Sequence, residues 1–555
     1  MTPEHAGVDQ RIAADLVLYN GLVHTMDELG RSHRAIAVRD GRVVATGSDR
    51  EMVGLSGERT AFEDLGGQAA VPGFIETHNH PTFFGMTLSA PVDAGCPPND
   101  TIADIVDRVR EATKAFPPGS WIRGYRYDDT QLTDDRHPTR DDLDAASPDH
   151  PVCLMHISGH FCSLNSAGLR AVGIDDGTPD PDGGVIVRDE RGTPTGVLAE
   201  TAAFAAYAAM PSDSALDLVS ALERAGDAYL EAGVTTVHDL GVGLMAGADE
   251  LVAYRLALQG DRFRTRVQGF LVPDLLPGLA DGDPAPLEQG IAGLGDDRFR
   301  VAGAKLWADG SIQGLTGCVS EGYACAPDQH GMLIYQPDEL TRRVAALHAA
   351  GLQVAVHGNG DAAIETILDA YRTLGDDDSL RTRRHRIEHC QMVGDRQLER
   401  MSASGLLASF FIKHVYYWGD RHRSRFLGER RAARLNPLRS ALRHGIRFGL
   451  HSDTPVVSVP PLDGIRCAVR RRTRDGDVLG PDERIGAVEA VRAYTSEAAH
   501  LAFEESRKGT LEPGKLADVA VLSADPLATD ADDGDSLDEV HVTMTVIGGD
   551  IVWRR

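Results

Sequence analysis

Lysine is scarce in this chain of 555 residues. Of its 56 lysine and arginine side chains only five are lysines, at positions 114, 305, 413, 508 and 515. A lysine that stands inside an apolar run is therefore hard to attribute to chance. Lys305 is such a residue, because it lies within the segment VAGAKLW (301–307).

Paired cysteines and long apolar runs are missing as well. The seven cysteines are odd in number and scattered, which is typical of reduced thiols and argues against a disulfide framework. No stretch of about 18 apolar residues occurs, and the first residues are polar, so neither a membrane span nor a signal peptide is expected. These features predict a cytoplasmic protein.

Positive charge is also in short supply. The net charge is −27 and the isoelectric point is about 5.1. Nucleic acids and anionic membranes need a positive surface, so neither is an expected partner. With 42% hydrophobic and 25% charged residues, the composition is that of a globular enzyme. A small-molecule substrate is the expected partner, and a homodimer is one assembly that the chain could form.

Both ends of the chain have the pattern of short strands and turns. Over residues 15–70, Asn20-Gly21 predicts one hairpin, and residues 35–47 predict another around the turn at 39–41. Residues 508–553 alternate in the same way between turn-rich and apolar stretches. We therefore expect a small β-sandwich domain built from both termini, residues 1–67 and 500–555.

Between the two ends, apolar strand-like runs alternate with helical stretches. Such alternation predicts an α/β protein with a parallel sheet or barrel. The eight candidate strands match the number in a (β/α)8 TIM-type barrel, which we place at residues 68–499. They are 71–77, 234–239, 265–271, 301–307, 352–356, 384–388, 405–410 and 445–450.

Residues 81–225 are interpreted as an insertion after the first barrel strand. They contain two further candidate strands, 121–127 and 152–157. If either of these belonged to the central sheet, the count would exceed eight and the barrel interpretation would weaken.

Two histidines, one residue apart, follow an apolar run. The segment is VPGFIETHNH (71–80), which ends in His78 and His80. Side chains alternate between faces along a strand, so both imidazoles point the same way if the run is a strand. Two such imidazoles can bind one metal ion. The pair therefore favours a metallohydrolase.

Other predicted strands carry further groups that could bind a metal or act as a base. They are Lys305, His357, His389 and Asp453. In a parallel barrel the C-terminal strand ends share one face, where such enzymes place their sites. Each group alone has an ordinary structural explanation, and single histidines such as His238 and His451 are more often structural than metal-binding. The hypothesis depends on all of these groups occurring at separate strand ends.

This order of residues resembles the amidohydrolase superfamily of metal-dependent hydrolases. Several segments are similar to its branch amidohydrolase family 3, which includes N-substituted formamide deformylases. The matching segments are VPGFIETHNH (71–80), PTGVLAE (194–200), ADGS (308–311), IEHC (387–390), YYWGD (416–420), HSDTP (451–455) and GKLAD (514–518). The resemblance covers nearly the whole chain, and its motifs are specific for the superfamily but only loosely specific for the substrate.

The resemblance implies a role for each strand-end residue. His78 and His80 would bind the more buried of two metal ions. Lys305 would be N6-carboxylated by carbon dioxide, and its carbamate would bridge the two ions. His357 and His389 would bind the second ion, and Asp453 would contact a metal and act as general base. Two zinc ions are the expected cofactor, although iron, manganese and nickel suit similar ligands.

Further side chains are candidates for the substrate pocket. His160, in the insertion, belongs to a stretch that resembles one facing the active site in the family. Trp307 is close in sequence to Lys305, and His414 and Tyr416 follow the strand at 405–410. An ordinary core position is at least as plausible for each aromatic residue. The acidic residues that could orient ligand histidines are Glu200, Asp361 and Glu388.

The first functional hypothesis is hydrolysis of a non-peptide carbon–nitrogen amide bond in a small molecule. An N-substituted formamide is one candidate, attacked by metal-activated water with Asp453 as general base. Deamination of a heterocycle and hydrolysis of an ester or phosphoester use the same scaffold and nucleophile, so the ligand set does not separate them. A barrel that has lost catalysis and acts as a binding or scaffold protein is the third hypothesis, against which the retention of every expected ligand argues.

Overall fold

The computed structural model describes residues 13–211, 213–279, 295–375, 378–528 and 534–555. Its strands, in chain order, are β1 (Ala14–Tyr19), β2 (Leu22–His24), β3 (Ser32–His33), β4 (Ala35–Arg39), β5 (Arg42–Gly47), β6 (Ser56–Asp64), β7 (Ala69–Pro72), β8 (Phe74–Asn79), β9 (Val92–Asp93), β10 (Ile122–Tyr127), β11 (Val152–His156), β12 (Phe161–Leu164), β13 (Gly184–Arg188), β14 (Pro194–Glu200), β15 (Val234–Val242), β16 (Arg266–Leu271), β17 (Phe299–Trp307), β18 (Gln353–Gly358), β19 (Arg386–His389), β20 (Leu407–Phe410), β21 (Phe448–Leu450), β22 (Val519–Leu522), β23 (Val542–Ile547) and β24 (Asp550–Arg554).

Helices separate most of the strands. The α-helices of the described residues are Asp49–Val53, Pro81–Thr87, Ile102–Thr113, Arg140–Asp144, Ser166–Ala171, Thr201–Ala209, Ala215–Glu231, Asp249–Gln259, Pro337–Ala349, Asp361–Arg372, Asp378–Arg383, Asp395–Ser404, His414–Arg421, Gly428–Ala432, Leu438–Arg443, Pro461–Arg470, Ala487–Ala493 and Ser496–His500. A π-helical turn, His422–Phe426, continues the helix that begins at His414.

Eight parallel strands form the central sheet, in the order β8-β15-β16-β17-β18-β19-β20-β21. The first and last strands meet where the Thr77 hydroxyl donates a hydrogen bond to the Leu450 carbonyl at 3.0 Å, so the barrel is nearly closed. Each of the eight predicted strands corresponds to a strand of this sheet, but the first prediction, 71–77, began too early, since residues 71–72 belong to β7 in another sheet. Helices surround the barrel, and the largest hydrophobic cluster lies between the two layers. An α/β fold with a parallel barrel is the expected result of alternating strands and helices.

The chain between β8 and β15 forms a separate six-stranded sheet, in the order β13-β14-β12-β11-β10-β9. The predicted strands at 121–127 and 152–157 correspond to β10 and β11, which pair with each other in this sheet. They do not add a ninth strand to the barrel. The helix Ala215–Glu231, which follows the sheet, packs against the barrel instead, since its residues belong to the same hydrophobic cluster as β15.

Two more sheets contain the strands near the ends of the described chain, one of them built from N-terminal strands alone and the other from strands of both ends. One has the order β5-β4-β1-β6, and the other has the order β24-β23-β22-β7-β2-β3. Strand β22 pairs with β7 on one side and with β23 on the other, so N-terminal and C-terminal strands share one sheet. A hydrophobic cluster with members from both sheets, including Leu16, Val38, Val519 and Val546, lies between them.

One of the two predicted hairpins near the N-terminus is wrong. Residues 35–47 do form the antiparallel pair β4–β5. Strand β1, however, pairs with β4 and β6, while β2 lies in the other sheet beside β3 and β7. Asn20-Gly21 therefore carries the chain from one sheet to the other, with Asn20 in a left-handed conformation (φ 55°). The two residues do form the turn between β1 and β2, but these strands do not pair with each other and so do not make a hairpin.

Within the described ranges, no helix is long and apolar enough to cross a membrane.

Candidate metal centre

The predicted ligands converge at the C-terminal mouth of the barrel. His78 lies in β8, with His80 just beyond it, Lys305 lies in β17 and His389 ends β19. Asp453 follows β21 by three residues. Because the strands are parallel, these ends lie on one face. Topology therefore places side chains that are far apart in the sequence around one point.

Four of these residues form a compact group. Oδ1 of Asp453 lies 3.3 Å from Nε2 of His80 and 3.5 Å from Nε2 of His78. Nζ of Lys305 lies 3.2 Å from the same His78 nitrogen. The nitrogen and oxygen atoms of the HxH motif, the lysine and the aspartate thus face one another, as residues that share a cation would.

His389 and His357 lie beside this group. Nδ1 of His389 is 4.0 Å from Oδ2 of Asp453, and the rings of His389 and His357 have centroids 4.4 Å apart. Nε2 of His357 contacts the carbonyl of Gly310 at 3.1 Å. The Asn359 side-chain amide nitrogen lies 2.9 Å from the same His357 nitrogen and donates to the same carbonyl at 2.8 Å. His357 therefore belongs to a small hydrogen-bonded group beside the cluster.

His451 joins the cluster, although the sequence argument gave it little weight. Its Nε2 lies 3.2 Å from Nδ1 of His389, and its ring stacks on His78 with centroids 4.8 Å apart. In the described part of the chain, the closest groups of metal-binding atoms here are His78 with His389 and His451, and His78 with His80 and Asp453. The signal was its position at a strand end, two residues before Asp453.

Burial favours the neutral form of three of the ligand histidines. It lowers the pKa values of His78, His357 and His389 well below their ordinary range, with neighbouring cationic groups adding to the effect. Burial likewise lowers the pKa of Lys305 to about 8. Neutral imidazole is the form that binds metal ions. These histidines therefore have lone pairs available to bind a metal cation.

Two ligand nitrogens are buried without a hydrogen-bond partner among the described residues. They are Nε2 of His389 and Nδ1 of His80. Buried polar atoms are rarely left unsatisfied, because each costs about 1–3 kcal/mol. The unpartnered nitrogen of His389 belongs to a cluster that also holds other imidazoles, a carboxylate and a lysine, and this set of donors fits a divalent metal of the zinc type. The orphan nitrogen of His80 faces Asp239, whose Oδ1 is 4.0 Å away.

The backbone at two of these residues is strained. His389 and Asp453 have φ values of 69° and 52°, in the left-handed region that side chains other than glycine seldom adopt. The Asp453 N–H donates to the carbonyl of His78 at 3.2 Å, which ties the two strand ends together. Such strain clusters at functional sites.

The insertion delivers His160 to the edge of this group. Its ring centroid is 5.2 Å from that of His357, and its Nδ1 is 2.7 Å from Oε2 of the buried Glu200. Although burial lowers the pKa of His160, the Glu200 carboxylate outweighs that effect and raises it. Glu200 has an unusual backbone conformation (φ 53°, ψ −126°). The inserted sheet therefore contributes to the site.

The other pocket candidates separate into two kinds. Trp307 and His414 lie near the cluster: Nζ of Lys305 is 5.1 Å from the Trp307 ring centroid, and the His414 and His389 rings are 6.5 Å apart. Tyr416 is 43% exposed, and its ring packs against Tyr417. The structure does not bring Tyr416 to the metal-binding residues.

Another group with metal-binding side chains lies in the insertion and includes Asp128, Asp129 and His156. The Ser158 N–H donates to Nδ1 of His156 at 3.2 Å, so the proton of the neutral ring is on Nε2. That nitrogen faces Oδ1 of Asp129 at 3.1 Å. The arrangement is a histidine–carboxylate pair, because the nitrogen facing the carboxylate has no lone pair for a metal.

Solved structures with the same architecture support the class of metal-dependent hydrolases. An uncharacterized metal-dependent hydrolase from Pyrococcus horikoshii OT3 superposes with a TM-score of 0.74 at 26% identity, covering 94% of this chain and 99% of that one. A second, from Pyrococcus furiosus, gives a TM-score of 0.70 at 27% identity, with 92% and 99% covered.

The family follows from the sequence itself. The model of the amidohydrolase family matches residues 61–553, and this chain belongs to that family. It is 31% identical to the N-substituted formamide deformylase of Arthrobacter pascens, over 98% of each chain. It is 32% identical to the protein LONG AFTER FAR-RED 3 of Arabidopsis thaliana, over 97% of this chain and 91% of that one. The resemblance inferred from the motifs is confirmed.

Proposed function

We propose that this protein is a metal-dependent hydrolase of a carbon–nitrogen amide bond in a small molecule, with N-substituted formamides as the first substrates to test. The observation that carries the proposal is the cluster at the barrel mouth, where potential metal-binding atoms come together and Nε2 of His389 has no hydrogen-bond partner among the described residues. The residues of this cluster are His78, His80, His389, His451 and Asp453. The formamide assignment is supported by the relative in Arthrobacter pascens, whose name states that activity.

The proposed ligands are His78, His80, Lys305, His357, His389 and Asp453. Zinc ions, two of them in our proposal, would lower the pKa of water and polarise a carbonyl group when bound. His451 is close enough to His389 to hold the His389 ring in place. The Nδ1 atom of His451 is itself 2.7 Å from the Ser409 hydroxyl.

Lys305 is proposed to react with carbon dioxide and to bind metal as a carbamate. The reaction needs a neutral amine, and burial lowers the pKa of this side chain to about 8. A lysine cation 3.2 Å from Nε2 of His78 would repel a metal at the same nitrogen. The carbamate would be an anion with two oxygen donors, which suits ions about 3.5–4 Å apart.

Asp453 is proposed as the general base. Its two carboxylate oxygens face His80, His78 and His389 at 3.3–4.0 Å, at the centre of the group. From this position the carboxylate can take a proton from the attacking water and pass it to the departing amine. His160, Trp307 and His414 are proposed to line the substrate pocket.

Deamination and ester hydrolysis remain the alternatives, because they need the same residues. A panel of N-formyl, N-acyl, cyclic amide, amino-heterocycle and ester compounds, assayed on protein of known metal content, tests all three. We expect turnover of N-substituted formamides or other small amides. Turnover confined to esters or amino-heterocycles would replace the proposal, and full metal loading without any turnover would favour a binding role.

We further propose that the two terminal sheets form one β-sandwich domain. The support is their shared hydrophobic cluster, which joins Leu18 and Ile36 of one sheet to Val521 and Met544 of the other.

A further inference from the structure

Arg386 is an arginine buried inside the barrel, close to the candidate metal centre. Neither its side chain nor that of Glu388 has any exposed surface. The two residues lie two apart on β19, so their side chains point to the same face of the strand. Removing a charge from water costs several kcal/mol unless it is paired and hydrogen-bonded. The contacts that compensate the burial of Arg386 therefore indicate what this residue does.

The guanidinium is held by well-defined contacts. Its Nε and Nη2 atoms both bond to the carboxylate of Glu388, with Nη2 3.0 Å from Oε2. Nη2 also donates to the carbonyl of Thr77 at 2.6 Å, and Nη1 lies 3.2 Å from Nδ1 of His238. Burial, followed by the charge of Arg386, lowers the pKa of His238 well below its ordinary range, so this ring is neutral and its Nδ1 accepts.

These contacts connect two strands that are not neighbours. By the shorter way round the barrel, β20 and β21 stand between β19 and β8. Thr77 of β8 directly precedes His78, and Oε2 of Glu388 lies 2.7 Å from Nδ1 of His78. Arg386 thus contacts the backbone next to His78 and, through Glu388, the side chain of His78 itself.

We propose that Arg386 and Glu388 are positioning residues that orient His78 for metal binding. The Glu388 carboxylate accepts a hydrogen bond from the Nδ1–H of His78, which leaves the lone pair of Nε2 directed toward Asp453 and Lys305. Arg386 holds that carboxylate in place and compensates its charge. This inference rests on the proposed metal-dependent function, but it concerns metal affinity, which is measured without a substrate.

The test replaces both charges together. Replacing only one of the two residues by an apolar side chain would leave the other buried charge without its hydrogen-bonding partner and destabilise the fold, whereas replacing a buried ion pair by apolar residues of similar size is often neutral for stability. We expect Arg386→Met with Glu388→Leu to unfold near the wild-type temperature in its metal-free form. Its zinc dissociation constant should rise about 10- to 100-fold, as is usual when a partner of a ligand histidine is removed.

A matched control is the buried pair formed by Arg266 and Asp518. Nε of Arg266 is 2.8 Å from Oδ2 of Asp518, and Nη2 is 3.0 Å from Oδ1. This pair joins β16 to the terminal sheets and has no contact with the metal centre among those described. Arg266→Met with Asp518→Leu should leave the zinc dissociation constant unchanged, because it removes a comparable pair without affecting His78.

The measurements are zinc competition against a chromogenic chelator, metal content by mass spectrometry and thermal unfolding by circular dichroism. A folded Arg386→Met/Glu388→Leu protein with wild-type zinc affinity would overturn the inference. If the double variant does not fold, Glu388→Gln, which keeps the volume and an acceptor for His78, is expected to weaken zinc binding about tenfold. Wild-type affinity in Glu388→Gln would also overturn it. Wild-type protein that binds zinc but hydrolyses no amide would reject only the proposed function.

Discussion

Nζ of Lys305 lies 3.2 Å from Nε2 of His78, with both side chains buried at the mouth of the barrel. As two cations they would repel each other at this distance. Burial lowers both pKa values, that of Lys305 to about 8 and that of His78 well below its ordinary range. The protein therefore tolerates the close approach because it disfavours the charged form of each group.

The first prediction concerns the pH dependence of stability in metal-free protein. Burial lowers the pKa of Lys305 from 10.5 to about 8, so between these values the unfolded chain binds a proton that the folded protein does not. The stability contribution of Lys305 therefore rises with pH across this window. Below it, the buried cation costs about 3 kcal/mol.

Lys305→Met removes this titration. The metal-free variant should be more stable than the wild type at pH 7, and the difference should shrink as the pH approaches 10.5. Urea denaturation of both proteins, after a chelator has removed the metal, measures this difference in the free energy of unfolding. A difference that stays constant from pH 7 to 10.5 would contradict the assigned pKa.

The second prediction concerns the carbamate. Intact-mass measurement under non-denaturing conditions should show metal-loaded wild-type protein heavier by one carbon dioxide, with the increment lost in acid. Lys305→Ala should lack the increment and bind less metal, because a bridging ligand is gone. Lys508→Met is the control: Lys508 is also buried but pairs with Glu504 at 3.0 Å, away from the metal centre. An unmodified, fully metal-loaded wild type would reject the carbamate.

The third prediction concerns the general base. Asp453→Asn keeps the size of the side chain and one oxygen, so most of the bound metal should remain. The rate should fall about 10²- to 10⁴-fold, because general-base catalysis contributes that much. Steady-state kinetics on a substrate found by the panel, normalised to metal content, measures the effect. Rates close to wild type would show that another group takes the proton.

The fourth prediction concerns the ligand histidines. His389→Ala should reduce bound metal and activity together, because its Nε2 has no other buried partner among the described residues. His24→Asn is the control, since His24 pairs with Asp525 at 2.9 Å in the terminal sheets. Metal analysis and activity after purification in zinc-supplemented medium measure both variants. Normal metal content in His389→Ala would remove this residue from the ligand set.

The barrel and the position of its ligands could be predicted because their signals are local. Each of the eight strands is an apolar run, and the predicted ligands lie at or near strand ends. Parallel topology then places those ends on one face. The convergence of His78, Lys305 and Asp453 needed no knowledge of side-chain contacts.

The features that escaped prediction depend on which segments become neighbours. Asn20-Gly21 carries a left-handed turn signal, yet the sheet in which the next strand pairs is decided by packing far along the chain. The role proposed for Arg386 depends on its contacts with β8, and these contacts form only when the barrel brings β8 and β19 together. Tyr416 follows His414 by two residues on the same helix, so the two side chains point to different sides of it. His414 is buried, whereas Tyr416 is exposed.

The junction between β7 and β8 has a consequence for the order in which the protein can complete its fold during synthesis. The N–H of Gly73 donates to the Asp518 carbonyl at 2.8 Å, and β7 pairs with β22, while β8 continues directly into His78. The segment leading into the HxH motif thus leaves the ribosome early and must wait for β22 before its pairing is complete. Translation that stops before Asp518 would leave β7 paired with β2 alone and the Gly73 N–H without its partner. Complete support of the segment that leads into the HxH motif is therefore expected only after the chain has been synthesised through β22.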